Sequence, residues 1–239
     1  MTNAVNEVGE FFSAWAIYRK VLDNNYMHHR EIYQALGEWL HAHLGTRPFS
    51  MLDLGCGDAS FLARSLQGTA IRHYTGFDLS DPALALAAEN IAALGCEARL
   101  VNIDFMEGLA QTETRFDVIF TSFALHHLTQ EEKARFFVLA RAALNEGGVL
   151  LIIDTMREPH ETLEVYLDNY CQWLHEQWTN CEEQEFEAIF QHIRNNDLPE
   201  TLATLNTLAE TAGFSQAGKL FQLQWHKALW FAGDDFIKP

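Results

Sequence analysis

The stretch Phe49-Ser50-Met51-Leu52-Asp53-Leu54-Gly55-Cys56-Gly57-Asp58-Ala59 constrains this chain more than any other. A short apolar run enters a Gly-x-Gly turn, and an amphipathic segment from Phe61 to Leu66 follows at once. That order predicts strand, tight turn and helix, because glycine carries no Cβ to restrict φ or to block a ligand's approach to the backbone. A second apolar run, Tyr74 to Phe77, ends at Asp78. It lies about twenty residues beyond the glycines, where an open parallel sheet offers a carboxylate to a ribose diol. A dinucleotide fingerprint would place a third glycine where Ser60 stands. An acid inside the first strand, Asp53, would also gain nothing from a pyrophosphate, whereas a cationic ligand would gain from it.

The pattern then repeats in the order of a doubly wound sheet. Asp81, with Pro82 at the first helical position, predicts a helix over Ala83 to Leu94 that Gly95 stops. Further strands are predicted at Ala98–Ile103, Phe116–Ser122 and Gly148–Asp154, and a helix from Lys133 to Leu144 behind a Thr129/Glu132 capping box. Near-continuous apolar strands separated by helices imply a parallel sheet covered on both faces. Asp53, Asp78, Asp104, Ser122 and Asp154 all fall at carboxyl ends of strands, where such sheets bind ligands. Before the first strand, apolar residues recur at helical spacing from Val8 to Leu44, including Phe11, Phe12 and Trp15, with a joint near Asp23 to Asn25. After Asp154, Glu161 to Trp178 and Cys181 to Asn195 read as two further aromatic helices, then Leu202 to Ala212 as a third. Lys219–Trp225 and Lys227–Ala232 read as a closing antiparallel hairpin.

Leu52-Asp53-Leu54-Gly55-Cys56-Gly57 resembles the first signature motif of the class I S-adenosylmethionine-dependent methyltransferases. The resemblance covers roughly Arg47 to Phe231, interrupted by the helical insertion, and its motifs are specific for cofactor rather than for acceptor. It implies an α/β fold, a doubly wound Rossmann-like methyltransferase sheet with N-terminal helices and a helical insertion after the fifth strand. The corresponding division is a helical cap at 1–46 and a methyltransferase domain at 47–239, with the insertion at 160–198. It further implies S-adenosyl-L-methionine as cofactor: Gly55, Cys56 and Gly57 beneath the methionyl part, Asp53 toward its amino group, and Asp78 on the ribose with Leu79 beside the adenine. Asp104 and Phe105 are placed at the adenine, and Ser122 in the segment flanking the methyl donor. The N-terminal helices would set Tyr26, His29 and Arg30 over the opening, with Arg30 as a fork for an acceptor carboxylate. His127, more than His126, is a candidate general base, with Tyr26 and His29 as further catalytic candidates. Tyr166 and Tyr170 are candidates for the acceptor cavity, while core packing accounts for most aromatics of the insertion.

Composition narrows the partners. The chain has 239 residues, 48% of them hydrophobic, with 17 Phe, 6 Trp and 6 Tyr, enough for one large core. Its 16 Lys and Arg against 33 Asp and Glu give a formal charge of -17, which repels nucleic acid and anionic membranes. A small-molecule substrate is expected, with no nucleic acid, no membrane, and a monomer or homodimer. Cys56, Cys96, Cys171 and Cys181 lack metal-ligand or dense disulfide spacing, so no metal and a cytoplasmic location are expected. The expected activity is methyl transfer to nitrogen or oxygen of a small metabolite. The alternatives are methylation of a protein or a modified tRNA, and a non-catalytic cofactor-binding regulatory protein.

Overall fold

The computed structural model describes residues 17–236. The helical positions expected at Phe11, Phe12 and Trp15 lie outside them. Helix α1 occupies positions 17–23, and α2 (His29–Leu44) follows a turn. The sheet unit then runs β1 (Phe49–Leu54), α3 (Ser60–Leu66), β2 (Ile71–Asp78), α4 (Asp81–Ala92), β3 (Glu97–Asn102), α5 (Phe105–Gln111) and β4 (Phe116–Ser122). A 3-10 turn (Leu125–His127), α6 (Gln130–Ala143) and β5 (Leu144–Thr155) complete the parallel part. The insertion is α7 (Leu163–Gln177) and α8 (Glu183–Asn196), and the chain closes with α9 (Leu202–Thr211), β6 (Gln216–Leu223) and β7 (His226–Ala232).

The strands lie in the order β3-β2-β1-β4-β5-β7-β6, with β1 to β5 mutually parallel and β6 and β7 antiparallel. Alternate residues of each strand face opposite sides, so one sheet carries two cores. Met51, Val118, Phe120 and Leu151 pack with Ile32, Leu36 and Leu40 of α2 and with Ala87 and Ile91 of α4. Leu52, Ile119, Leu150 and Ile152 face the other way, onto Phe136 and Phe137 of α6 and Leu205 of α9. A third cluster joins Tyr166, Tyr170 and Leu174 of α7, and Trp178 just beyond its end, to Phe186 and Ile193 of α8 and Val21 of α1.

Local chemistry shifts some expected boundaries. Ser80, not Asp81, caps α4, because its hydroxyl accepts from Ala83 N at 3.3 Å and leaves Asp81 inside the first turn. The capping box at Thr129 and Glu132 is complete, and α6 starts at Gln130 rather than Lys133. Strand β5 starts at Leu144, four residues early, since Leu144 pairs with Phe116 of β4 despite the polar Asn145-Glu146 that follows.

Candidate active site

The glycine turn is shaped by its backbone. Gly55 has φ 71° and Gly57 φ 52°, and a Cβ added at Gly55 would stand 3.2 Å from the Ala124 methyl. Gly55 N and Cys56 N both donate to Phe77 O, at 2.9 and 3.0 Å, which fastens the turn to the end of β2. Asp78 fastens it again: its Oδ2 accepts from Gly57 N at 2.8 Å and its Oδ1 from Ser80 N at 2.9 Å. Each carboxylate oxygen thus keeps acceptor capacity for one more donor. Cys56 is buried, and burial pushes its thiol up, away from thiolate chemistry.

Beside the turn lies a cavity of about 350 Å³ whose floor includes Asp53, Gly55 and Gly57 and whose walls include Ser122, Phe123 and Phe61. Tyr18, His29 and Tyr33 cover it from the N-terminal helices. Tyr33 Oη donates to Ser122 Oγ at 2.9 Å, joining cover to sheet. Asp53 is buried; desolvation raises its carboxyl to about 7, with the 2.6 Å hydrogen bond from Tyr74 Oη opposing and the charge of Asp78 adding to the rise. Burial, helped by neighbouring His28, lowers His29 to about 4, so its imidazole is neutral.

Asp53 makes ligand binding depend on pH. Its raised pKa means that the neutral acid predominates below about 7, and that folding stability is lost as pH rises from the ordinary carboxylate range through about 7. A cationic ammonium group prefers the carboxylate, so affinity for S-adenosylmethionine is expected to rise about tenfold between pH 6 and pH 8. Titration calorimetry across that range checks this. An equally steep profile in Asp53→Asn would assign the dependence elsewhere.

The remaining expected residues are dispersed. Leu79 is 67% exposed at the end of β2. Asp104 caps α5, its Oδ1 accepting from Met106 N and Glu107 N, both at 2.9 Å, and Phe105 opens that helix and packs on the second core. Tyr26 stacks on Trp178 with centroids 5.0 Å apart, and its hydroxyl accepts from Asn180 N at 2.7 Å, tying α1–α2 to the α7–α8 loop. Arg30 donates to Asp23 O at 2.9 Å and borders a separate, open groove with His41 and Arg64. Tyr166 and Tyr170 are buried in the third cluster rather than exposed. His127 is half-exposed, with Nδ1 3.4 Å from both Asn196 O and Asp197 Oδ1. Sequence reasoning passed over Tyr33, Phe61 and Phe123 because their spacing matches that of core residues.

His126 is the more deeply engaged of the histidine pair. Its Nδ1 lies 2.5 Å from Asp154 Oδ1, its backbone N donates to Asp154 Oδ2 at 2.9 Å, and Asp197 Oδ1 stands 3.7 Å from Nε2. Burial alone would lower its pKa, but the charge and hydrogen bond of Asp154, with Asp197 adding, bring the net shift upward. One ligating atom each from His126, His127 and Asp197 falls within 4.8 Å of the others, a grouping whose residue types suit a divalent metal.

A methyltransferase-domain family model matches residues 51–148. Over 179 residues the chain is 27% identical to the carboxy-S-adenosyl-L-methionine synthase of Shewanella amazonensis, covering 72% of this chain and 71% of that protein. The magnesium protoporphyrin IX methyltransferase of Synechocystis PCC 6803, solved with bound S-adenosylmethionine, superposes with TM-score 0.60 at 15% identity over 90% of this chain and 84% of that one. A cyclopropane synthase from Mycobacterium tuberculosis gives TM-score 0.55 at 20% identity over 80% of this chain, which spans 62% of its length. Sheet order and the braced glycine turn define a Rossmann-like fold shared with these proteins. The methyltransferase-domain match and the relatives support a class I S-adenosylmethionine-dependent methyltransferase.

Proposed function

We propose that the acceptor is a small metabolite, methylated on nitrogen or oxygen. The observation that supports this reading is the lining: Tyr18, His29 and Tyr33 of the N-terminal helices border the cavity beside the glycine turn, and the aromatic insertion packs against Val21 and Tyr26 of the same segment. A charge of -17 adds an electrostatic cost to any RNA acceptor.

In this reading Gly55 and Gly57 let backbone pass beneath the methionyl chain, Asp53 pairs with its ammonium, and the free lone pairs of Asp78 accept the ribose hydroxyls. Cys56 fills space under that chain, Leu79 and Phe105 flank the adenine while Asp104 accepts from its amine, and Ser122 borders the methyl donor. The bound cofactor supplies an electrophilic sulfonium methyl. The protein's part is to align the acceptor and exclude water. His29 and Phe123 wall the cavity on the acceptor side.

Incubation with labelled S-adenosylmethionine and a deproteinised metabolite extract is expected to put label into small molecules. Label entering tRNA or protein instead, with the metabolite fraction unlabelled, would overturn the proposal in favour of a macromolecular acceptor.

A further inference from the structure

We propose that His126, His127 and Asp197 bind one divalent metal ion, zinc fitting best, where the end of α8 meets the turn after β4. The site goes beyond the methyl-transfer reading and does not depend on the acceptor.

Its ligands come from two distant parts of the chain. His126 and His127 close the 3-10 turn that follows β4, and Asp197 is the residue on which α8 ends. Backbone bonds hold the two parts together: Asp197 N donates to Ile193 O at 3.0 Å, and Leu198 N donates to His126 O at 2.7 Å. Lys133 clamps the same junction, its Nζ donating to Leu198 O at 2.7 Å and to Leu128 O. Among the described residues no other three side chains of His, Cys, Asp or Glu converge so closely. Cysteine spacing predicted no metal, but these ligands meet only through folding.

Distances decide between a hydrogen-bonded trio and a metal site. Asp197 Oδ1 stands 3.7 Å from His126 Nε2 and 3.4 Å from His127 Nδ1. It has no hydrogen-bond partner, although Asp197 is only 6% exposed. Buried carboxylate oxygens are ordinarily satisfied, and N–H···O bonds close to about 2.7–3.2 Å. The three atoms therefore stand outside hydrogen-bond geometry with one another. They are well spaced to share an ion, because ligands held about 2.0–2.1 Å from zinc lie roughly 3.3–3.4 Å apart in a tetrahedron. Octahedral bonds of that length would bring neighbours to about 3.0 Å. Two imidazoles also disfavour magnesium and calcium, which take oxygen ligands.

The surroundings orient the ligands. His126 Nδ1 is engaged by Asp154 Oδ1 at 2.5 Å, so Nε2 is the nitrogen left toward Asp197. A carboxylate behind a histidine ligand fixes the tautomer and raises the basicity of the ligating nitrogen. Asp154 is itself held by the backbone N of His126 at 2.9 Å and of Thr155 at 2.7 Å. Without metal, Nε2 can hold a proton facing Asp197, so proton and ion exclude each other. The Lys133 ammonium weighs against a further cation, but Asp154 and Asp197 together outweigh it, and Arg157 is cancelled by Glu200 at 3.2 Å. His127 is half-exposed while His126 and Asp197 are enclosed, so an ion enters from the His127 side and water completes the tetrahedron. An ion bound here joins the insertion to the carboxyl ends of β4 and β5.

Titration of the chelator-stripped protein with zinc, against a competing indicator dye, tests the assignment. One equivalent is expected to bind at about micromolar or tighter, and to weaken about hundredfold in both His127→Ala and Asp197→Asn. His73→Ala, on an exposed histidine at the far side of the sheet paired only with Glu97, is expected to bind as wild type does. Zinc at about a hundred times its dissociation constant should raise Tm by about 5–10 °C in wild type and leave both site variants unmoved. Cobalt in place of zinc should give the intense visible absorption of a tetrahedral ion. No binding tighter than about millimolar, unchanged affinity in the two site variants, or an equal loss in His73→Ala would overturn the proposal and leave Asp197 as a buried counter-charge to His126. Circular dichroism verifies that each variant is folded, and Asp197→Asn, which keeps the side chain's shape, carries the test should His127→Ala not be.

Discussion

Asp78→Ala is expected to weaken S-adenosylmethionine binding about ten- to hundredfold, equivalent to roughly 1.5–3 kcal/mol for hydrogen bonds to a charged group. Two effects combine. Donors on a ribose lose their acceptor, and the glycine turn loses the carboxylate that joins Gly57 N to Ser80 N. The second effect can be isolated with Asp78→Asn, whose single carbonyl oxygen satisfies one of the two backbone donors and carries no charge. Its affinity is expected to fall between wild type and alanine. Calorimetry gives the dissociation constants, and circular dichroism verifies the fold. Wild-type affinity in a folded Asp78→Ala protein would place the ribose site elsewhere and leave Asp78 as a brace for the turn alone.

The frame of the fold was legible because its strands are nearly continuous apolar runs and its breaks carry glycine, proline or a cap. Those signals are local, and the sheet order follows from them. The differences in the frame arise at element ends. At Ser80-Asp81 two good capping residues stand side by side, and only the 3.3 Å contact to Ala83 N decides between them. The early start of β5 depends on pairing with Phe116, 28 residues away, which polar Asn145-Glu146 conceals. In the site, residues tied to the glycine turn could be found from spacing, whereas those on the cover could not. Tyr33 and Phe61 share the periodicity of the core, yet they border the cavity. Tyr166 and Tyr170 share it as well and are buried among aromatics. Hydrophobic spacing reports which face of a helix is dry, not whether that face meets side chains or a ligand. Arg30 illustrates the complementary problem: its backbone N–H, in the first helical turn, donates to Asn25 Oδ1 at 2.9 Å, while its guanidinium donates to Asp23 O. Nothing in the order of residues foretells that direction. His126 and His127 differ for the same reason, because what separates them is Asp154, on another strand.

Asp154→Ala is expected to produce the largest loss of stability, about 3–5 kcal/mol, the usual cost of removing one partner from a buried charged pair. Both side chains are almost fully enclosed, so solvent screening offers little relief. Asp154 accepts from the His126 backbone N and from Thr155 N as well as from the imidazole, and alanine would leave all of these without a partner. For a domain of this size the loss corresponds to a fall in Tm of about 6–20 °C. Its pH dependence follows from the direction of the shift. His126 is raised in the folded protein, so its contribution is fully present below the unfolded histidine pKa and is lost as pH rises through the folded one. The difference between wild type and variant should therefore be largest in mildly acidic buffer and shrink toward alkaline pH. In the variant, burial acts on His126 with only Asp197 opposing it, so acid should destabilise rather than stabilise. Thermal melts of both proteins from pH 5 to pH 9 measure this directly. Parallel curves for the two proteins would show that His126 does not carry its charge between the two carboxylates, and that Asp154 acts only through its backbone contacts.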